Sequence, residues 1–163
     1  MNRLWAPWRV PYLKGEKPVG CIFCDKPKED RDEDNLILHR GTHHFVIMNL
    51  FPYSNGHLMI VPYLHTDALE DLDAAAAVEL FDLIKAARKA LLESMNPEGF
   101  NVGINLGRVA GAGIHEHVHV HVVPRWLGDT NFMPTLAGTK VISEHIQESY
   151  RKLAPHFADW PGR

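Results

Sequence analysis

Residues 117–123, His-Val-His-Val-His-Val-Val, alternate imidazole and valine with a period of two. Side chains alternate across a strand, so this run predicts a strand with His117, His119 and His121 on one face and Val118, Val120 and Val122 on the other. Apolar runs upstream, at residues 36–38, 45–48 and 58–61, predict three more short strands. Gly41-Thr42 reads as the turn between the first two. Tyr53-Ser54-Asn55-Gly56 is turn chemistry for a hairpin joining the next two. Residues 100–106 fit a further strand. Over residues 73–95 the period changes: Leu80, Ile84, Ala87 and Leu91 fall at i, i+4, i+7 and i+11, the apolar stripe of a long helix. Asp73 is placed to cap its start, and Pro97 stops it. Residues 143–153 predict a C-terminal helix capped by Ser143. Strands, then a long helix, then strands, indicate an α+β fold with a mostly antiparallel five-stranded sheet.

The chain has 163 residues, 45% of them hydrophobic, which suits one domain over residues 1–163. Residues 1–20 hold Trp5, Trp8 and Tyr12 among Pro7, Pro11 and Pro18. Prolines oppose regular structure while aromatics ask for burial, so an extended arm is expected, packed on the domain or on a partner subunit. The charged run at residues 25–35 is expected to be a solvated loop. A net charge of −3 gives no basic footprint and argues against duplex nucleic acid as a partner. No apolar run approaches the roughly 18 residues of a membrane span. The first residues lack a signal peptide's basic flank and apolar stretch, so the expected location is the cytoplasm. Cys21 and Cys24 are too few for a disulfide scaffold. Their spacing is that of half a metal site, with a redox pair as the weaker alternative because no βαβ pattern surrounds it.

Of eleven histidines, four fall between residues 115 and 121. Three chemistries suit the row on the last strand. The imidazoles are solvated or satisfied in the core; or they bind a metal, although neighbours on one strand converge poorly on a point; or one attacks phosphorus while its other nitrogen is held by a hydrogen bond. The segment before them, residues 103–113, favours the third. Its glycines let backbone N–H groups approach an anion, and Asn105 offers an amide. Phosphoryl or nucleotidyl transfer is the expected chemistry. Trp126, just past the strand, suits stacking on a base as well as it suits packing.

His117-Val-His119-Val-His121-Val-Val followed by Pro124-Arg125 resembles the signature of the histidine triad (HIT) superfamily. Cys21-Ile-Phe-Cys24, Asn49, and Asn55-Gly-His57-Leu-Met-Ile-Val-Pro62 with His65 also sit where such proteins carry similar residues. Leu4-Trp-Ala-Pro-Trp-Arg9, Ala110-Gly-Ala-Gly-Ile114 and the stretch from Pro124 to Met133 look like the bacterial subgroup related to diadenosine tetraphosphate phosphorylases and fragile-histidine-triad-type hydrolases.

The resemblance implies that His119 attacks the α-phosphorus of a dinucleoside polyphosphate and carries the nucleotidyl group, with water or inorganic phosphate as acceptor. His117 and His121 would orient the phosphate, Asn105 would bind it, Asn49 would contact the ribose, and His57 would line the nucleotide pocket. It further implies a structural zinc ion held by Cys21, Cys24, His65 and His117, no organic cofactor, and a homodimer or larger homo-oligomer. The alternatives are a nucleoside phosphoramidase and a nucleotide-binding module without catalysis. Gly113 and Ile114 stand where relatives carry Gln-Ser or Gln-Thr, so backbone N–H groups from Gly111 to Gly113 are expected to replace those side chains at the phosphate. His115, in phase with the triad, is read as a surface residue.

Overall fold

A computed structural model describes residues 20–129, 142–158 and 160. The predicted arm, but for Gly20, lies outside them. Strands β1 (Ile37–Arg40), β2 (His44–Met48), β3 (Leu58–Pro62), β4 (Gly99–Ile104) and β5 (Val120–Arg125) form one sheet in the order β1-β2-β3-β5-β4. Every neighbouring pair is antiparallel. Helices α1 (Ile22–Asp25) and α2 (Asp32–Asn35) precede the sheet, α3 (Ala74–Met95) is the long crossover between β3 and β4, and α4 (Ile146–Leu153) and α5 (Pro155–Ala158) follow it. No described helix is long and apolar enough to cross a membrane.

Period-two alternation sends apolar side chains to both faces of the central strands. Val46, Met48, Leu58, Ile60, Val120 and Val122 pack under Leu80, Leu83, Ala87 and Leu91 of α3, with Leu153 and Phe157 closing that core. On the other face, Phe45, Ile47, Met59 and Val61 pack with Phe23 and Ile114. The triad lies on this second face, away from the long helix.

The α3 expectations hold. Asp73 accepts a hydrogen bond from the Ala76 N–H at 2.8 Å, and Asn96 closes the helix in the left-handed region at φ 47°. Four local expectations need correction. The last strand begins at Val120, not His117, because the Val118 N–H bonds the Thr66 carbonyl at 2.7 Å instead of joining the ladder. β4 starts at Gly99 and ends at Ile104, short of Leu106. The C-terminal helix begins at Ile146, capped by His145 Nδ1, which accepts from the Gln147 N–H; the Ser143 hydroxyl instead accepts from the Asn55 amide at 2.9 Å. The charged run is not a plain loop: Arg40 reaches back from β1 to the Asp32 carboxylate at 2.6 Å and the Glu29 carbonyl at 3.0 Å, and holds two short helices in place.

The connection between β2 and β3 spans residues 49–57 and is closed by a 2.9 Å bond from the Asn49 N–H to the His57 carbonyl. Gly56 has φ 71°, and a Cβ there would stand 2.7 Å from Met95 Sδ and 2.9 Å from Leu91 Cδ2. Only glycine suits a positive φ pressed this closely on a helix. That turn sets His57 under the sheet, beside His121.

Candidate active site and metal-ligand cluster

The three triad imidazoles are buried, at 0%, 5% and 8% exposure for His117, His119 and His121. Each therefore needs its polar atoms satisfied, and the partners fix which nitrogen carries the proton. For His119, Nδ1 lies 2.9 Å from the His117 carbonyl. A carbonyl only accepts, so Nδ1 carries the hydrogen and Nε2 keeps a free lone pair. Burial holds this imidazole below its ordinary pKa, against the smaller upward pull of that carbonyl. A neutral ring with a bare Nε2 is what a nitrogen nucleophile requires.

His121 is governed from behind. His57 Nδ1 accepts from the Tyr53 N–H at 3.1 Å and stands 3.3 Å from the Asn49 amide nitrogen. The His57 proton is then on Nε2 and donates to His121 Nδ1 at 2.9 Å. The His121 proton is in turn on Nε2, 3.4 Å from Asn105 Nδ2. Both of these atoms bear hydrogens, so neither satisfies the other. They form a pair of donors side by side, suited to an oxyanion entering between them. The His119 and His121 rings meet edge to face at 4.8 Å between centroids.

His117 points elsewhere. Its Nε2–H donates to the Pro62 carbonyl at 2.8 Å, which leaves the Nδ1 lone pair free. That atom lies 3.3 Å from Cys21 Sγ, 3.6 Å from Cys24 Sγ and 3.3 Å from His65 Nδ1. The four donor atoms lie within 4.8 Å of one another, a set that could hold a metal ion. Short helix α1, begun directly after Cys21, brings the two thiols together, and Phe23 between them packs on the His117 and His119 rings at 5.5 and 5.0 Å.

The other expected residues separate into two groups. His57 and Asn105 meet His121, and Asn49 stands behind His57. Trp126 stands apart: it follows the far end of β5, about 17 Å along the strand from His121 at 3.4 Å per residue, and its indole N–H donates to the Asn96 carbonyl at 3.2 Å. Its ring is half-buried near the C-terminal end of α3, away from the triad. The backbone expectation for the glycine loop also changes. The Gly111 N–H bonds the Arg108 carbonyl at 3.1 Å and the Ala112 N–H bonds the Gly107 carbonyl at 3.4 Å, so neither faces a phosphate. Gly113 keeps open space around its Cα. His115 is partly exposed and accepts from Arg108 Nε at 3.0 Å.

Sequence reasoning missed Tyr53. Its ring lies 4.6 Å from His57 and 5.6 Å from His121, covering the relay. A lone aromatic in a turn carries no periodic signal that marks it.

Burial lowers the pKa of His121 to about 4 and that of His57 to about 3, with the neighbouring imidazoles adding to the effect. Their unfolded value is near 6.5. Below pH 6.5 the unfolded chain takes up protons that the folded chain refuses. Stability is therefore complete above that pH and falls as the pH drops toward 4, by at most about 1.4 kcal/mol per pH unit for each ring. Urea unfolding at pH 7 and pH 5 checks this: a loss of a few kcal/mol is expected, and equal stabilities would contradict neutral burial.

Residues 31–126 match the family model described as HIT domain. An AP-4-A phosphorylase of Mycobacterium tuberculosis is 40% identical over 171 residues, covering 99% of this chain and 87% of that protein. The adenosine 5'-monophosphoramidase hnt1 of Schizosaccharomyces pombe is 29% identical over 107 residues, covering 66% of this chain and 75% of its own. Among solved structures, a Zn-bound histidine triad family protein from Mycobacterium smegmatis superposes with a TM-score of 0.68 at 26% identity, over 85% of this chain and 94% of that one. The family match, the length of the phosphorylase alignment and the triad geometry agree, and the chain belongs to the HIT-domain family.

Proposed function

We propose that this protein is a nucleotidyl transferase or hydrolase that cleaves dinucleoside polyphosphates of the diadenosine tetraphosphate kind through a nucleotidyl-His119 intermediate. The observation that carries this reading is the 2.9 Å bond from His119 Nδ1 to the His117 carbonyl, which leaves Nε2 as the attacking atom. Nε2 forms a bond to the α-phosphorus as the bond from that phosphorus to its bridging oxygen breaks, and the rest of the substrate departs as a nucleoside polyphosphate. The His121 Nε2–H and the Asn105 amide hold the non-bridging oxygens, and the charge that develops there strengthens those bonds. Water or inorganic phosphate then attacks the same phosphorus, the P–N bond breaks, and a nucleoside monophosphate or diphosphate leaves. The 40% identity to an AP-4-A phosphorylase supports phosphate as acceptor. Asn49 and His57, which position His121, also border the space a ribose would take.

In this reading Cys21, Cys24, His65 and His117 hold a structural zinc ion. A tetrahedral zinc with Zn–N near 2.05 Å and Zn–S near 2.3 Å puts two nitrogens about 3.3 Å apart and a nitrogen and a sulfur about 3.5 Å apart. The observed 3.3 Å between the imidazole nitrogens and 3.3 to 3.6 Å between nitrogen and sulfur fit that spacing. The ion would supply a fixed point for the His117 ring, and the His117 carbonyl orients His119. The donor set is complete with protein atoms, so it offers no open position for substrate. In the same reading the chain acts as one cytoplasmic domain, and a second copy adds at the open edge of β4, where Val102 is 47% exposed.

The test is incubation with diadenosine tetraphosphate, with and without inorganic phosphate. ADP and ATP formed only with phosphate identify a phosphorylase; AMP and ATP formed without it identify a hydrolase. Turnover of an adenosine phosphoramidate alone would move the assignment to the phosphoramidase class. Nucleotide binding with no product from any of these would reduce the chain to a binding module.

A further inference from the structure

The groups expected to meet the transferring phosphate are the His119 and His121 rings and the Asn105 amide, 3.4 Å from His121 Nε2. No guanidinium or ammonium group is among them. A dinucleoside polyphosphate carries a negative charge on each phosphate, and its departing end must be held by something. Among the described arginines, Arg31, Arg40, Arg125 and Arg151 pair with carboxylates, and Arg88 lies over the Phe100 ring. Arg108 makes no ion pair among the described residues; its hydrogen bond goes to His115 Nε2, 3.0 Å away.

Its place in the chain matters. Arg108 stands three residues past Asn105, which meets His121, and its partner His115 stands two residues before His117. It begins the 3-10 turn Arg108–Ala110, whose flanks Gly107 and Gly111 take φ 80° and 92°. The same loop ends at Ile114, which packs into the apolar cluster of Phe23 beneath the His119 ring. The guanidinium therefore ties together the two limbs of the loop that runs from Asn105 to His117. The Glu116 carboxylate, its side chain 70% exposed, lies 3.6 Å from the same His115 Nε2, and with that nitrogen accepting from Arg108 no hydrogen bond joins the two.

We propose that Arg108 is the residue that binds the distal phosphates of the substrate, the portion that departs with the leaving nucleotide, and so selects polyphosphate substrates over mononucleotides. On arrival of the substrate the guanidinium exchanges its single bond to His115 for charge-assisted bonds to phosphate oxygens, which its planar fork suits. This rests on the functional reading above, deepens it, and can fail separately from it.

The experiment is calorimetric titration of the His119→Ala chain, which cannot consume substrate, with diadenosine tetraphosphate and with AMP, repeated after adding Arg108→Ala or Arg108→Gln. Expected is an approximately tenfold loss of tetraphosphate affinity, a change below twofold for AMP, partial recovery with Arg108→Lys, and a weaker salt dependence in the variants. Tetraphosphate affinity unchanged within twofold, or equal losses for both ligands, would overturn the proposal. A wild-type chain that turns over no polyphosphate while this discrimination persists would remove the enzyme reading and leave the assignment of Arg108 standing. A His119→Ala chain that binds neither ligand would remove both.

Discussion

His119→Ala is expected to lower turnover of diadenosine tetraphosphate by about 10⁴-fold or more, the scale seen when an enzyme loses its covalent nucleophile. The chain should still fold, because the ring is bordered by His121 and Phe23 and its removal breaks only the bond to the His117 carbonyl. Substrate should still bind, since the His121 and Asn105 donors remain. His121→Ala should behave differently. It removes a phosphate contact and leaves the nucleophile, so a loss of about 10²–10³-fold is expected, the cost of one oxyanion donor. Steady-state kinetics on the two variants check the ordering. Equal, small losses would mean that neither ring reacts with phosphorus.

Cys21→Ser with Cys24→Ser is expected to produce the largest structural effect. Zinc content should fall from about one equivalent to below a tenth, as measured by plasma emission. Loss of a structural metal is among the few changes that cost more than about 4 kcal/mol. At roughly 2–4 °C per kcal/mol for a chain of this size, Tm should drop by about 10 °C or more. A second effect follows from geometry. The ring of His117 belongs to the cluster and its carbonyl holds His119 Nδ1, so the empty cluster loosens the orientation of the nucleophile. Activity should fall through kcat, roughly tenfold or more, with KM little changed. Nitrogen-15 spectra of the imidazoles give a readout independent of turnover: His119 should show one fixed Nδ1–H tautomer with zinc and averaged nitrogens without it. Unchanged zinc content in the double variant would remove the assignment of the cluster.

Much of the site was legible in the sequence because it is written with short periods. The alternation over residues 117–123 does put Val120 and Val122 under α3 and the three imidazoles on the other face. Cys21-x-x-Cys24 does meet His65 and His117, although His65 stands 41 positions after Cys24 with no local sign of the meeting; only the resemblance supplied that pairing. What was not legible depends on contacts made across the fold. The histidine strand begins late because the Thr66 carbonyl takes the Val118 N–H. Helix α4 begins late because Asn55 engages the Ser143 hydroxyl, while His145, a residue seldom counted as a cap, does the capping. The charged run coils because Arg40, in β1, bonds its carboxylates and carbonyls. Trp126 follows the triad in sequence but lies at the opposite end of β5, because a six-residue strand carries the chain away from the site. In each case the deciding partner is distant in sequence, which no local pattern reports.

During turnover His119 Nε2 is expected to become covalently bonded to phosphorus. Rapid acid-free quenching of the wild-type chain with diadenosine tetraphosphate, without inorganic phosphate, followed by intact mass spectrometry and peptide mapping, measures this directly. A transient gain of one adenylyl group is expected, located on His119 and absent from His119→Ala. An adenylyl group mapped to another residue, or product formation in a single turnover with no adduct on the protein at any time, would contradict it.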